Sequence, residues 1–309
     1  MLVTLTGASG FIGSYTARAL HARGYRVRAL VRPTSRRDHI ADVVSEWVTG
    51  DQADPAVIDH LVDGVDCVIH NSVNWDARAA AEDALQSNLV GTLRLLERAR
   101  SAGVKQFIFV SSVAALHEIS DEWHGRITET HPTWPGGLYG AYKAAVEAYL
   151  KAYFHSHGMN TSAWRPAAVY GIDPNLRRSQ WYDLIAAVRQ GATIDDARGG
   201  KITHVQDVAD ALALAVGNDS TAGQFYALVD GYIYRQRVAE MARELTGSGA
   251  RILDRTGAGP KNQFDCSKAI ALFGAGGNRI ALRRGEPGVR AYVSDLIKVM
   301  ADSSVAPPG

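Results

Sequence analysis

The chain has 309 residues, with 33 basic and 32 acidic side chains and a formal net charge of +1. This length allows a large core in one big domain or two intimately joined ones, and the charge balance excludes a polybasic surface for nucleic acid or membrane. No apolar run approaches the roughly 18 residues of a membrane span. Cys67 and Cys266 match no metal-ligand spacing, so no metal is expected and a reduced, cytoplasmic setting is.

Met1-Leu2-Val3-Thr4-Leu5 is a short apolar run suited to a buried parallel strand, and its place at the start leaves no room for a signal peptide. The next segment, Thr6-Gly7-Ala8-Ser9-Gly10-Phe11-Ile12-Gly13, leads into a helix read over Ser14–Leu20. Its glycines let the backbone turn sharply and approach a diphosphate closely. The helix N-terminus then offers free N–H groups and a positive dipole end to the anion. Cofactor contacts are therefore expected at Gly7, Ser9, Gly10, Phe11, Ile12 and Gly13.

Arg26–Val31 reads as the second strand and Val44–Val48 as the third, closed by Gly50-Asp51. Asp51 is placed either to accept a hydrogen bond from an adenine amino group or to cap the next helix. That helix ends at Leu61-Val62-Asp63-Gly64, and Cys67–His70 forms the fourth strand. A long helix runs through Asn88 to Ala102, and Gln106–Ser111 is the fifth strand. Strands separated by helices imply right-handed crossovers and a parallel sheet covered on both faces, with a ligand beyond the strands' carboxyl ends. Ala306–Gly309 reads as a loose tail.

An acidic residue commonly ends the second strand of an NAD site and bonds the ribose hydroxyls. Here the strand runs on as Arg32-Pro33-Thr34-Ser35-Arg36-Arg37, with no carboxylate before Asp38. A guanidinium pairs with phosphate, so the sequence points to NADP, with NAD as the alternative. Arg32 would hold the 2′-phosphate, helped by Arg36 or Arg37.

Tyr139 and Lys143 stand four apart and share one face of a helix running to Tyr149. A free phenol titrates at about 10, and a nearby ammonium favours its ionised form, which suits an acid–base pair. Ser111-Ser112, at a strand end, supplies a hydroxyl for the substrate oxygen whose proton Tyr139 moves. His70 is expected to be a packed or hydrogen-bonded histidine outside the chemistry.

At these positions the chain resembles the extended short-chain dehydrogenase/reductase superfamily, in its NAD-dependent epimerase/dehydratase branch. Thr6–Gly13 resembles the TGxxGxxG loop and Gly50-Asp51 the Gly-Asp after the third strand. Asn88 with Gly91-Thr92 resembles NxxGT, and Val110-Ser111-Ser112 the strand carrying the active hydroxyl. Tyr139–Lys143 resembles YxxxK, and Arg165–Gly171 the RPxxVYG segment. His204–Ala209 is similar to HVxDVA, and Phe264–Ala269 to a late D-x-SKA segment.

The resemblance implies Ser112 at the reacting oxygen, with neighbouring Ser111 as the alternative. It implies Tyr139 as general acid/base, and Lys143 on the nicotinamide ribose and tuning Tyr139. Asn88 would support its helix and an active-site water. It further implies a Rossmann-type doubly wound parallel sheet with a smaller, partly discontinuous C-terminal substrate region. Residues 1–171 would hold the dinucleotide, with segments near 202–216 and 225–229 returning to them, and 172–309 would mainly bind substrate. The expected partner is a small-molecule substrate, and a homodimer is the candidate assembly.

Two departures bear on the substrate. Ala115-Leu116-His117 stands where nucleotide-sugar members commonly carry VYG, and in Arg198-Gly199-Gly200-Lys201-Ile202-Thr203-His204 a glycine stands where they tend to carry a diphosphate-binding arginine. These favour net oxidation or reduction of a secondary alcohol or ketone. Sugar or nucleotide-sugar epimerisation or dehydration is the alternative, and a non-catalytic redox-sensing module is a third reading. Trp75, Trp123, Trp134 and Trp181 are read either as walls of an apolar substrate pocket or as ordinary packing.

Overall fold

A computed structural model of the chain describes residues 1–52, 54–74, 81–116, 125–255, 257, 259, 260, 262–274, 282 and 284–305. Trp75, Trp123, His117 and the tail 306–309 lie outside the described residues. The strands are β1 (Leu2–Thr6), β2 (Arg26–Val31), β3 (Glu46–Thr49), β4 (Cys67–His70), β5 (Gln106–Val110), β6 (Arg126–Ile127) and β7 (Asn160–Pro166). They continue as β8 (Ala168–Tyr170), β9 (Thr193–Ile194), β10 (Gly199–His204), β11 (Gln224–Leu228), β12 (Gly231–Tyr234), β13 (Arg251–Ile252) and β14 (Gln263–Phe264).

Seven strands form one sheet in the order β11-β7-β5-β4-β1-β2-β3, and every neighbouring pair is parallel. Val3 faces Val27 on one side and Cys67 on the other, so the apolar run at the N-terminus lies mid-sheet. Nearly every residue of β1, β2, β4 and β5 is buried. That is why these strands read as mostly apolar runs without strict alternation.

The helices α1 (Phe11–Ala22), α2 (Pro55–Val62), α3 (Ala81–Leu85) and α4 (Gly91–Ser101) serve the first half. A π-turn over Gln86–Val90 separates α3 from α4. α5 (Leu138–His157) is stopped by Gly158 at φ 64°, whose N–H donates to the Phe154 carbonyl. The others are α6 (Tyr182–Arg189), α7 (Val205–Ala215), α8 (Arg235–Thr246), α9 (Ser267–Gly274) and α10 (Gly285–Val305).

One face of the sheet packs on α1 and α7 through Ala17, Leu20, Ala209 and Leu212. The other packs on α2, α4 and α5 through Ile58, Leu96, Val146 and Leu150. A separate core built from Ile185, Val188, Met241, Val293 and Leu296 joins α6, α8 and α10 beside the three-stranded sheet β12-β10-β8.

The second and fourth strands have the residues expected of them. The third is shifted to Glu46–Thr49, and the long helix through Asn88 is interrupted by the π-turn. Trp181 belongs to the second core: it is buried against Tyr170 and Tyr292, at φ 64°. Trp134 is 64% exposed.

Candidate active site

A cleft of about 1060 Å³ opens at the carboxyl ends of β1, β2, β4, β5 and β7. Along it lie Gly7, Ser9, Gly10, Phe11, Ile12, Arg32, Asp51, Ser112, Tyr139 and Lys143. Gly13 and Asn88 do not line it.

The glycine-rich loop is as tight as a diphosphate cradle requires. Gly7 has φ 68°, which L side chains rarely adopt, and a Cβ there would lie 3.2 Å from Ser72 backbone. A Cβ on Gly13 would lie 2.0 Å from the Gly7 carbonyl oxygen. Gly10 caps α1 without any side-chain hydrogen bond, and no acidic residue stands in the helix's first turn. These residues fit a pyrophosphate, an anion that would take the N–H groups and the helix dipole.

The far wall is pinned by a buried polar chain. Thr6 Oγ1 accepts from the N–H groups of Asn71 (3.0 Å) and Ser72 (3.1 Å) and lies 2.8 Å from His70 Nδ1. His70 Nε2 is 2.8 Å from Thr92 Oγ1, which donates onward to the Asn88 carbonyl. Thr92 has thus given away its proton, so the ring carries its own on Nε2 and accepts from Thr6 at Nδ1. Burial pushes His70 down to about 3, with Lys143 adding to the effect, so the ring is neutral.

The Asn88 side chain bonds the loop after β4. Its Oδ1 accepts the Asn74 N–H at 2.7 Å and its Nδ2 donates to the Asn74 carbonyl at 3.1 Å, locking the loop that lines the cleft.

His70 makes a pH prediction possible. Its folded pKa of about 3 lies below the ordinary 6.5, so between these values the unfolded chain binds the proton and the native one does not. Stability is full above 6.5 and falls as the medium is acidified towards 3, by about 1.4 kcal/mol per pH unit from this group. Urea unfolding across this range should show a shallower slope for His70→Gln than for wild type. Parallel slopes would show that His70 is not the group responsible.

Ser111 and Ser112 are told apart by direction. Ser111 is buried and donates to Glu147 Oε1 at 2.6 Å, whereas the Ser112 side chain is hydrogen-bonded to the Tyr139 phenol. Lys143 lies one turn along α5, fully buried, with Nζ donating to the Val110 carbonyl at 2.6 Å and 5.6 Å from the centre of the Tyr139 ring. Burial brings its ammonium down to about 7, opposed by the carboxylate of Glu147.

The expected depression of the Tyr139 phenol is not found. Burial raises it, with the Ser112 hydrogen bond pulling the other way. The physical reason is that burial disfavours the charged phenolate by more than the Ser112 hydrogen bond favours it.

Past β3, Asp51 lines the cleft, and the N-cap of α2 is Asp54, whose side chain accepts the Ala56 N–H. Arg32 is exposed, and no carboxylate pairs with it among the described residues. Ser35 joins it at the cleft: its Oγ accepts the Arg32 N–H at 3.1 Å, and its own N–H donates to the Arg32 carbonyl.

The expected helpers of Arg32 are engaged elsewhere. Arg36 pairs with Asp38, and Arg37 lies over the Trp47 ring and bonds Thr49. Gln52, Asp173 and Arg178 also line the cleft. Asp173 and Arg178 arrive on the loop after Gly171; of the two, the sequence offered no signal for Asp173.

A family model described as NAD-dependent epimerase/dehydratase matches residues 3–228. The chain belongs to the NAD-dependent epimerase/dehydratase family.

Members of this family among the curated proteins include both reductases and epimerases. A ketoreductase of Stigmatella aurantiaca, acting on 4-hydroxy-2-methyl-3-oxo-4-farnesyl-3,4-dihydroquinoline-1-oxide, is 29% identical over 238 residues, 75% of this chain and 69% of that protein. UDP-glucose 4-epimerase of Mycolicibacterium smegmatis is 31% identical over 253 residues, 75% of this chain and 78% of its own. In two other relatives the chain spans about half the length, 49% and 52%. The solved UDP-glucose 4-epimerase of Thermotoga maritima, in complex with UDP-glucose, shares the fold with a TM-score of 0.79, 21% identity and coverage of 97% of this chain and 100% of that one.

The family is enzymatic, and its extended short-chain dehydrogenase/reductase fold is the one described above. Among the described residues no helix is long and apolar enough to cross a membrane.

Proposed function

We propose that this protein is an NADP(H)-dependent oxidoreductase that interconverts a ketone and a secondary alcohol in a small or sugar-like substrate, working in the reducing direction. The observation that carries this reading is the Ser112–Tyr139 pair, on the cleft beside the glycine-rich loop, with the phenol held protonated by burial. A phenol that keeps its proton at neutral pH is suited to give it to a carbonyl oxygen. When bound, the dinucleotide supplies the hydride.

Ser112 orients the carbonyl oxygen and Tyr139 delivers the proton to it. Lys143, buried beneath the phenol, favours the phenolate that remains after transfer and offers donors to the ribose. Asn88 shapes the wall through Asn74. The same reading assigns 1–171, with the returning segments near 202–216 and 225–229, to the dinucleotide, and most of 172–309 to substrate.

The test is the purified protein with NADPH and a panel of ketones, followed by loss of reduced-nicotinamide absorbance. Net consumption supports the proposal. The similarity to the Mycolicibacterium epimerase over 75% of the chain favours a second reading, sugar epimerisation. Dinucleotide that co-purifies stoichiometrically, without net turnover of added NADPH, would decide for it.

For cofactor choice, one arginine and one serine remain at the 2′ position. A single charge-assisted hydrogen bond contributes about 1.5–3 kcal/mol, and exposure of Arg32 screens part of that. NADP is therefore expected to bind roughly tenfold more tightly than NAD, and Arg32→Ala to remove most of the difference. Calorimetric titration of both dinucleotides checks this; equal affinities in the wild type would dispose of the Arg32 argument.

A further inference from the structure

Directly behind the cleft, one carboxylate ties together three elements. Glu147, on α5, is 1% exposed and accepts from the Ser111 hydroxyl at 2.6 Å. It also accepts from Arg165 Nε at 2.8 Å and from Arg165 Nη2 at 2.7 Å, a two-pronged pair with a guanidinium that is itself 2% exposed. Ser111 precedes Ser112 at the end of β5, and Arg165 precedes Pro166, which lines the cleft at the end of β7. Lys143 lies four residues before Glu147 on the same face of α5.

We propose that Glu147 is the positioning residue of this site, holding the β5 and β7 strand ends in register with α5 and standing as the counter-charge to Lys143. The inference rests on reading Lys143 as the group that steadies Tyr139.

The groups facing Lys143 can be taken element by element. On α5 they are the phenols of Tyr139 and Tyr142, and Glu147. On β4 it is neutral His70, and on β5 the uncharged Phe109 ring and Val110 carbonyl. On β7, Arg165 pairs with that same Glu147 carboxylate. Glu147 is thus the only anion among the described groups around the ammonium, although no direct ion pair joins the two. Burial works against a charged Lys143 and Glu147 works for it.

The test reads that titration directly and needs no substrate. Protein labelled with ¹³C at the lysine ε-carbon is titrated by NMR, with the Lys143 signal assigned by its loss in Lys143→Arg. In Glu147→Gln the midpoint is expected to fall by about one pH unit or more. In Glu147→Asp, which keeps the charge, it should return towards the wild-type value.

Glu147→Gln leaves Arg165 buried without a partner and is at risk of unfolding. Glu147→Gln combined with Arg165→Met removes that charge as well, and a smaller fall in the same direction is expected. An unchanged midpoint in whichever of these variants folds overturns the proposal. A wild-type protein that reduces no ketone while showing the expected shift would sink the proposed reaction and leave the role of Glu147 standing.

Discussion

Replacing Tyr139 with phenylalanine is expected to lower ketone reduction by roughly a thousandfold, the usual range for removing a positioned general acid. NADPH affinity should change little. Tyr139 is half-buried and lies at the start of α5, with its ring near Tyr142 and its phenol on Ser112, so the variant keeps the ring packing and loses only the hydroxyl. Single-turnover reduction measured beside NADPH titration separates the two effects. A variant with near-normal turnover would remove Tyr139 from the mechanism. A variant that lost turnover and dinucleotide binding together would point instead to a structural role for the hydroxyl.

Gly13→Ala should be the most damaging substitution of a single atom's size in the molecule's first helix. The added Cβ would sit 2.0 Å from the Gly7 oxygen and 2.8 Å from the Ala8 Cα, both backbone atoms that cannot rotate aside. Overpacking usually costs about 1–3 kcal/mol where side chains can yield. Here the whole Thr6–Gly13 turn must move, so the expected result is at least a hundredfold weaker dinucleotide binding, about 2.7 kcal/mol, with a lowered melting temperature. Calorimetry and thermal unfolding are the measurements. Wild-type binding and melting would mean that the loop is far looser than its geometry indicates.

How much of this could be seen beforehand depended on the range of the forces involved. Strands β1, β2, β4 and β5 were legible because burial on both faces favours mostly apolar, β-branched runs, and the glycine loop because only glycine tolerates its turn. Tyr139 and Lys143 were legible because helical spacing alone sets them on one face.

The choice between Ser111 and Ser112 was not legible. Adjacent residues leaving a strand point to opposite sides, and what decides which side is inward is Glu147, far along the chain. The π-turn at Asn88 is likewise held by contacts to Asn74, a loop residue with no pattern of its own. The directions taken by Arg36 and Arg37 follow from Asp38 and from Trp47 on β3, which composition does not encode. Trp181 shows the same limit: a tryptophan in the left-handed region is held there by Tyr170 and Tyr292.

The edge strand β11 gives the sheet a birth order. It is drawn from residues 224–228, yet its partner β7 lies at 160–166, and Trp164 stacks on Tyr226 across the seam at 4.3 Å. On the ribosome six of the seven strands emerge before the last one exists. Through that interval β7 carries an open row of backbone donors and acceptors and an uncovered indole, a template for pairing with other chains. A nascent chain that stalls between Gly171 and Gln224 has the whole glycine-rich loop but a sheet with one raw margin. The stretch that closes it belongs, by position, to the half of the sequence that comes after the chemistry.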